Sequence, residues 1–393
     1  MFKDKIRKMD IEAIAKFSLM WPIAVVMKPF KRDVWLVSER PAEAQDNGYW
    51  IFKYICENDC HKNTYYIMKA GASDEQKVTS LGKTIKSHSL KHYLYYLLAT
   101  KHISSQVDGG MPNMRVCSFL ERYGFLKNKK VFLQHGITKD IISFGFYKDT
   151  RVNLFVCATR RETDFVKKTF GYPKGAVQQL GFARFDNLVD MSKGRKQILV
   201  MPTWRAWLAQ GQSKSIEEAK TKFLDSEYYK RWSSLLKYEK LQELLEEYDY
   251  SLLFYPHSDM QPYVQYFKTS NSRIKIADSK QYNVQNLLKE SSIMITDYSS
   301  VAFDFAYMNK QVIYYHFDYK AYREGQHPEG YFQYERDGMG PVVGTEDMVC
   351  TMLNKMLNSD SELLDLYKAR RDDFFDLKDN KNCERIYHAC RNL

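Results

Sequence analysis

The sequence lacks the short motifs that assign a chemistry directly. No P-loop of the form GxxxxGK(S/T), no GxGxxG fingerprint and no HExxH pair occurs in its 393 residues. Their absence argues against an ATPase, a dehydrogenase and a zinc protease. Aspartates form no dense cluster either, so the sequence predicts neither a carboxylate-bound Mg²⁺ nor a resident cofactor. Catalysis is then expected to rely on histidine, arginine and helix N-termini.

Paired cysteines are also missing. The seven cysteines are an odd number and contain no CxxC motif, which favours reduced thiols that act as small apolar side chains. Cys56, Cys60 and His61 resemble part of a metal site, but no second cluster in the sequence completes it. We therefore predict no metal.

A long apolar run is the third absence. The stretch 17–27 has 11 residues, against about 20 needed to cross a bilayer, and no secretory signal is recognisable. Basic residues flank this stretch on both sides: Lys3, Lys5, Arg7, Lys8, Lys28, Lys31 and Arg32. Residues 1–32 are therefore predicted to be a basic amphipathic segment that rests on an anionic membrane surface. The alternative is a terminal helix packed on its own domain.

What the sequence does contain is a positive charge and ample core material. Lys and Arg total 59 against 48 Asp and Glu, a formal charge of +11, and apolar residues make up 44%. An excess of this kind favours nucleic acid, anionic lipid or phosphorylated substrates as partners. No helix-turn-helix, zinc finger, RRM motif or lysine stripe is visible, so a nucleic-acid partner is not expected.

Alternation of strand-like and helical patterns predicts the fold class. Strands are predicted at 34–37, 64–68, 103–107, 131–134, 154–157, 197–201, 252–255, 274–276, 293–296 and 312–315. Helical patterns between them indicate βαβ units, and hence two doubly wound Rossmann-type α/β domains facing a central cleft. We place the domains at 33–187 and 188–393, the second including the terminal helices, and treat 209–222 as a polar loop or insertion.

Two histidines follow predicted strands, one in each half. His135 stands in Leu-Gln-His-Gly and His257 in Tyr-Pro-His-Ser. Ligands of doubly wound sheets bind beyond the carboxyl ends of the strands, where an imidazole can exchange a proton with a substrate oxygen. Gly136 would let a ligand approach the backbone closely. A histidine taken singly is better explained by a structural role, but two histidines at matching positions favour a functional one.

A polar turn follows another predicted strand and opens a helix. Asp297, Ser299 and Ser300 are residue types that cap helices, and a helix N-terminus suits a phosphate. Arg205 follows the strand at 197–201, and guanidinium also suits phosphate oxygens. Ordinary capping and a surface charge remain the alternatives for these residues, and for Lys139.

Taken together, these segments resemble the CDP-glycerol glycerophosphotransferase family, the phosphopolyol transferases of teichoic acid and capsule synthesis. The matching pieces are Gln134-His135-Gly136 with Lys139, Gly181 through Asp186, Pro202-Thr203-Trp204-Arg205, Pro256-His257, Thr296 through Ser300 with Asp304-Phe305, and Gly340-Pro341. Trp35 through Arg40 and Asp46-Asn47-Gly48 are similar to the acceptor-side domain of smaller members. Ala206 departs from the family pattern.

The resemblance implies a GT-B-like fold and a role for each residue. Cytidine diphosphate would lie on the C-terminal domain, where His257, Ser299 and Ser300 contact the pyrophosphate, aided by Arg205, Asp297 and Gly136. His135 would be the base for the acceptor hydroxyl, and Glu39, Arg40, Asn47 and Lys139 would lie on the acceptor side.

The predicted reaction is transfer of glycerol phosphate from CDP-glycerol to a lipid-linked or polymeric acceptor, with release of CMP. It would take place peripherally at the cytoplasmic face of a bacterial membrane. Without the extra N-terminal domains of the longest members, a single-unit transferase or small polymerase is expected. Transfer of ribitol phosphate, or sugar transfer on the same scaffold, stays open, as does the oligomeric state.

Overall fold

A computed structural model describes residues 6–107, 109–278 and 281–393. The chain folds into two compact units. The first unit holds the described residues up to Ile137, together with Ser143–Asn187 and Leu377–Leu393; the second holds Thr138–Ile142 and the described part of Leu188–Asp376. Lys3 and Lys5 of the predicted membrane-proximal segment lie outside the described residues.

Strands and helices alternate along the chain. The strands are β1 Val34–Ser38, β2 Thr64–Met68, β3 Thr84–Lys86, β4 Ala99–Ser104, β5 Lys129–Phe132, β6 Leu154–Cys157, β7 Val177–Gln179, β8 Gln197–Met201, β9 Ser251–Phe254, β10 Ile274–Ile276, β11 Ile293–Thr296, β12 Gln311–Tyr315 and β13 Val342–Val343. The helices are α1 Lys8–Met27, α2 Asn47–Glu57, α3 Glu75–Thr79, α4 Leu90–Leu98, α5 Met114–Arg122, α6 Tyr147–Thr150, α7 Arg160–Thr169, α8 Ile216–Asp225, α9 Glu227–Lys237, α10 Glu239–Glu247, α11 Val284–Glu290, α12 Val301–Tyr307, α13 Tyr319–Gly325, α14 Tyr334–Asp337, α15 Glu346–Leu357, α16 Ser361–Phe374 and α17 Asn382–Arg391.

Each unit is built on one parallel sheet. The order is β3-β2-β1-β4-β5-β6-β7 in the first unit and β10-β9-β8-β11-β12-β13 in the second. The strand order reverses direction between β1 and β4, and between β8 and β11, which are the points where doubly wound sheets bind ligands. Central strands such as β1, β6 and β11 are buried along their whole length, because helices cover both faces of a parallel sheet.

The end of the chain departs from the predicted domain division. Residues 377–393 belong to the first unit, although the sequence placed them in the second. Contacts with the first unit explain this difference. Asp186 accepts hydrogen bonds from the backbone N–H groups of Asn382 and Cys383 at 3.0 and 2.8 Å. Tyr387 of α17 also packs against Trp35 of β1, with ring centroids 5.8 Å apart.

The strands predicted at 34–37, 131–134, 252–255 and 312–315 are shifted or extended by one or two residues, and two other predicted segments differ more. The strand predicted at 103–107 is β4, which begins at Ala99, because Lys101 is buried with its amine 3.3 Å from Asp33 and 5.1 Å from the Trp35 ring. The predicted polar loop at 209–222 contains most of α8. Ser215 caps this helix by accepting from the N–H of Glu218, and the Ser-x-x-Glu pattern signals that start in the sequence.

The N-terminal helix α1 packs on its own unit and also exposes apolar side chains. Ala13, Phe17, Met20 and Ala24 are buried in a core shared with α4 and α5. The opposite face carries exposed apolar residues, among them Leu19, Ile23 and Val26. Among the described residues, no helix combines the length and apolarity that a membrane span requires.

Lys310 shows how the second unit stabilises a helix end. Its buried amine donates to the carbonyls of Leu288, Lys289 and Ser291 at 2.6–2.9 Å, and lies 2.9 Å from Asp190. These carbonyls close α11, and a cation at a helix C-terminus is stabilising.

We expect Lys310→Met to lower the free energy of unfolding by about 2 kcal/mol, since it strands buried carbonyl groups. Urea titration measures the effect, with the exposed Lys355→Met as the control that should stay within about 0.5 kcal/mol. Equal stability of the two variants would contradict this reading.

Candidate active site

Glu39 follows β1 at the point where the first sheet reverses its strand order. Its carboxylate is buried and accepts hydrogen bonds from the backbone N–H groups of Gln45, Asp46 and Tyr49 at 2.6–3.2 Å. Burial and the charge of Asp46 raise the pKa of Glu39 to about 8. Glu39 therefore holds the loop that leads into α2, and in this structure it faces backbone instead of solvent.

Asn47 ties the start of α2 to the loop that carries His135. Its side-chain amide donates to the carbonyls of Leu133 and Gln134 at 3.2 and 2.7 Å, and its oxygen accepts from the N–H of Arg184 at 3.0 Å. The residue is completely buried. Its geometry is that of a positioning residue.

His135 stands on a backbone turn that the structure fixes at several points. Gln134, and not Gly136, adopts the positive φ of this turn, at 59°, and its side chain donates to the Val156 carbonyl at 2.6 Å. Such strain in a non-glycine residue is held only where the surroundings enforce it. The loop thus presents the exposed His135 ring beyond the carboxyl end of β5.

Charged groups surround the His135 ring. Although the side chain is exposed at the surface, the protein atoms around the ring desolvate it and lower the pKa of His135; Arg184 and Arg40 act in the same direction, and Asp46 opposes them. The carboxylate of Asp46 lies 3.0 Å from the Arg184 guanidinium, and the ring hydrogen-bonds to the backbone of Ser105. Arg40 itself is exposed and lies 3.9 Å from Glu43. A lowered pKa keeps His135 neutral near pH 7, the form required of a general base.

Arg205 and Asp297 meet at the strand-order reversal of the second sheet, and both are completely buried. The guanidinium lies 2.9 Å from Asp297 and donates to both oxygens of Asp318 at 2.8 and 3.0 Å. Its remaining nitrogen donates to the carbonyls of Thr203 and Trp204. These acceptors occupy the whole guanidinium, so in this structure Arg205 holds protein groups in place and has no N–H left over for the phosphate contact that the sequence suggested.

Asp297 has a similar structural task. One carboxylate oxygen accepts from the N–H groups of Thr203 and Tyr298 at 2.8 and 2.7 Å, so the loop after β8 and the turn after β11 are joined. Ser299 and Ser300, which follow on this turn, are only partly buried. Ser300 precedes α12, and its hydroxyl makes no capping hydrogen bond.

His257 stands at the start of a 3₁₀ helix, Ser258–Tyr266, after β9. Its Nδ1 accepts from the N–H of Asp259 at 3.2 Å, and its ring lies against Trp204 with centroids 6.2 Å apart. The backbone N–H of His257 donates to the Pro202 carbonyl at 3.1 Å. The second unit therefore gathers His257 and the 202–205 loop, and Asp297 joins that loop to the serine turn.

Lys139 belongs to the second unit, not to the acceptor-side domain to which the sequence assigned it. It is buried and paired with Asp140, which also lies 2.7 Å from Arg323. The domain boundary differs here because residues 138–142 pack with the loop near Pro328, whose carbonyl accepts from the N–H of Ile141 at 3.2 Å.

Sequence reasoning missed several residues of these networks. Asp46 and Arg184 lie inside the family-like segments but received no role. Asp318 and His316 follow β12, so the rule that led to His135 and His257 would also have pointed to them.

Comparison with known proteins gives the geometry a context. The model of the family described as CDP-Glycerol:Poly(glycerophosphate) glycerophosphotransferase matches residues 19–391. The minor teichoic acid biosynthesis protein GgaB of Bacillus subtilis is 33% identical over 399 residues, which cover the whole chain and 43% of GgaB. The chain thus spans less than half the length of this relative.

Solved structures support the fold. The wall teichoic acid polymerase TagF superposes with a TM-score of 0.66 at 15% identity, covering 97% of this chain and 98% of that one. A TagF variant soaked with CDPG gives 0.67 at 16% identity, over 98% of both chains. The predicted fold class, GT-B-like with two Rossmann-type domains, is confirmed. The chain belongs to the CDP-glycerol:poly(glycerophosphate) glycerophosphotransferase family.

Proposed function

We propose that this chain transfers glycerol phosphate from CDP-glycerol to an acceptor hydroxyl in teichoic-acid-type polymer synthesis. The acceptor oxygen forms a bond to the β-phosphorus, the bond from that phosphorus to the bridging oxygen breaks, and CMP leaves. The hydroxyl proton passes to His135. The observation that carries the proposal is the family match over residues 19–391, supported by the soaking of the structurally similar TagF with CDPG.

The residues of the second unit suit a diphosphate. Ser299 and Ser300 offer hydroxyls ahead of α12, and His257 shares the rim of the sheet with them. Phosphoryl transfer depends mainly on positioning and on neutralising charge. The buried Arg205–Asp297 pair contributes by holding the two loops that carry these groups.

A donor panel tests the proposal. The purified chain is incubated with CDP-glycerol, CDP-ribitol and nucleotide sugars, with and without a lipid-linked polyol phosphate acceptor, and released CMP is measured. We expect CMP from CDP-glycerol that depends on the acceptor. Preferred release from CDP-ribitol would reassign the donor, and a glycosidic product from a nucleotide sugar would overturn the proposal.

We further propose that α1 binds an anionic membrane surface, which would place a peripheral enzyme next to a lipid-linked acceptor at the cytoplasmic face. Leu19, Val26 and Phe30 are 56%, 69% and 84% exposed, and Lys28, Lys31 and Arg32 follow the helix. Exposed apolar side chains beside basic ones are typical of interfacial helices.

The double variant Leu19→Glu/Val26→Glu should bind vesicles of phosphatidylcholine with 30% phosphatidylglycerol at least about 10-fold more weakly, because it removes apolar contact and adds negative charge. Sedimentation with vesicles measures this binding. Ile216→Glu, at an exposed apolar residue of the second unit, is the control expected to bind normally. Unchanged binding of the double variant would exclude α1 as the contact.

A further inference from the structure

His316 lies directly behind the serine turn and has no role in the proposed reaction so far. It follows β12, and its Nε2 donates to the carbonyl of Asp297 at 3.1 Å. Burial lowers the pKa of His316 to about 3, so the ring is neutral. With the proton on Nε2, Nδ1 carries a lone pair that can only accept a hydrogen bond. Nδ1 is buried and has no hydrogen-bond partner among the described residues.

Aromatic rings hold the imidazole in this orientation. Tyr298 lies 4.4 Å from the His316 ring centroid, Tyr319 stacks on it at 5.7 Å, and Tyr334 meets it edge-on at 4.5 Å. A ring packed in this way cannot rotate to find another partner without repacking its neighbours. Nδ1 is therefore a fixed acceptor.

Arg323 supplies fixed donors in the same cluster. Its Nη1 donates to Asp140 at 2.7 Å, and its guanidinium lies 5.2 Å from the Tyr319 ring centroid. Nε and Nη2 are buried, and among the described residues they meet no acceptor in good hydrogen-bond geometry, although the Tyr319 hydroxyl lies near the guanidinium. A buried charged donor without an acceptor costs about 1–3 kcal/mol or more. Such a cost is expected where a ligand supplies the acceptor.

Lys139 brings a second cation to the cluster. Its amine pairs with the second oxygen of Asp140 and lies 5.4 Å from the Tyr334 ring centroid. One carboxylate thus faces two cations, Lys139 and Arg323. Asp297 and Asp318, which share Arg205, add negative charge nearby, so a ligand is indicated by the unpaired donors of Arg323 and by His316 Nδ1, and not by the net charge.

The backbone that carries Lys139 is held in place by a close approach. A Cβ added to Gly330 would come within 2.2 Å of the Lys139 carbonyl oxygen. Only glycine allows the loop near Pro328 to pack this tightly, so the backbone of Lys139 and Asp140 is fixed against this loop.

We infer that His316, Arg323 and Lys139 form a subsite for a phosphorylated polyol, with the cations binding the phosphate and His316 Nδ1 accepting from a neighbouring hydroxyl. The inference rests on the proposed function, which it deepens. The same chemistry is present in the polyol phosphate of the donor and in the terminal unit of the acceptor. Inorganic phosphate and CDP lack the polyol hydroxyl that would donate a hydrogen bond to His316 Nδ1.

Titration calorimetry on the full chain tests the subsite with sn-glycerol 3-phosphate and inorganic phosphate as probes. The wild type should prefer glycerol 3-phosphate by about 5–10-fold, the size of one buried hydrogen bond. His316→Gln retains a donor for Asp297 but loses the acceptor, and should abolish this preference. Arg323→Gln should weaken the binding of both probes by about 10-fold or more, because it removes the charged donors. Lys320→Gln, an equal charge change at an exposed residue of α13, should bind like the wild type.

One more variant and a second ligand identify which group of His316 acts and which substrate occupies the subsite. His316→Asn, which can place its amide oxygen near Nδ1, should keep the preference, and circular dichroism checks that each variant is folded. Weaker CDP-glycerol binding by Arg323→Gln, with CDP unchanged, would identify the donor as the ligand. Unchanged CDP-glycerol binding by Arg323→Gln would identify the terminal polyol phosphate of the acceptor substrate as the ligand of the subsite.

Two results would overturn the subsite: no preference in the folded wild type, or wild-type probe binding by both folded His316→Gln and Arg323→Gln. The proposed function fails by a different measurement, namely no CMP release by the wild type from CDP-glycerol.

Discussion

Replacing His135 with alanine is expected to lower turnover by at least about 10²-fold while the purified protein keeps its fold. General-base catalysis contributes about 10²–10⁴-fold, and the exposed ring can be removed without opening a core. His257→Ala should have an effect of similar size, since we propose that this ring contacts the diphosphate. Acceptor-dependent CMP release measures turnover, and circular dichroism checks the fold.

The control for both variants is His388→Ala, because His388 is an exposed histidine of α17 outside the proposed site. It should leave turnover unchanged. Near-normal turnover in folded His135→Ala or His257→Ala would remove that histidine from the mechanism.

The pH profile gives an independent test of His135. Its pKa is lowered below the usual 6.5, so the active neutral form persists as the pH falls through 6.5. The rate kcat/KM should therefore hold at pH 6.5 and fall only as the pH drops through the lowered pKa. An acid limb centred above pH 6.5 would contradict this assignment.

The largest effect on stability is expected from Arg205→Met. This change leaves Asp297 and Asp318 buried without the cation that pairs with them, and breaking a buried pair costs about 3–5 kcal/mol. Urea unfolding measures the loss. Arg195→Met removes an exposed pair with Glu290 and should cost about 0.5 kcal/mol or less.

Arg205→Lys distinguishes geometry from charge. A lysine amine retains the charge but cannot reproduce the planar set of donors that reaches both carboxylates. We expect this variant to lie between the wild type and Arg205→Met in stability. A loss below about 1 kcal/mol in Arg205→Met would mean that the network does not hold the two loops together.

The ends of strands could be read from the sequence because parallel strands are short, apolar and bounded by polar turns. Strands β2, β6, β8, β10 and β11 have the predicted bounds. Where a strand carries charged residues, the prediction shifted: β4 includes Lys101, whose burial depends on Asp33 and Trp35 far away in the chain.

Roles of single residues were harder to predict than positions. The family resemblance placed Glu39 and Asn47 on the acceptor side and Arg205 and Asp297 beside the diphosphate, yet each of these side chains is engaged by protein groups. A carboxylate or guanidinium looks the same in a sequence whether it meets a phosphate or a backbone N–H. Its partner decides the role.

The sequence by itself determined the α/β class and the family of this protein. Periodicity and strand-end residues are local properties of the chain, so they can be read in order. The tertiary structure decided which polar groups are satisfied and which are left for a ligand. Arg205 meets Asp318 across 113 residues, and no local pattern records such a contact, because buried charges are paired in space and not along the chain.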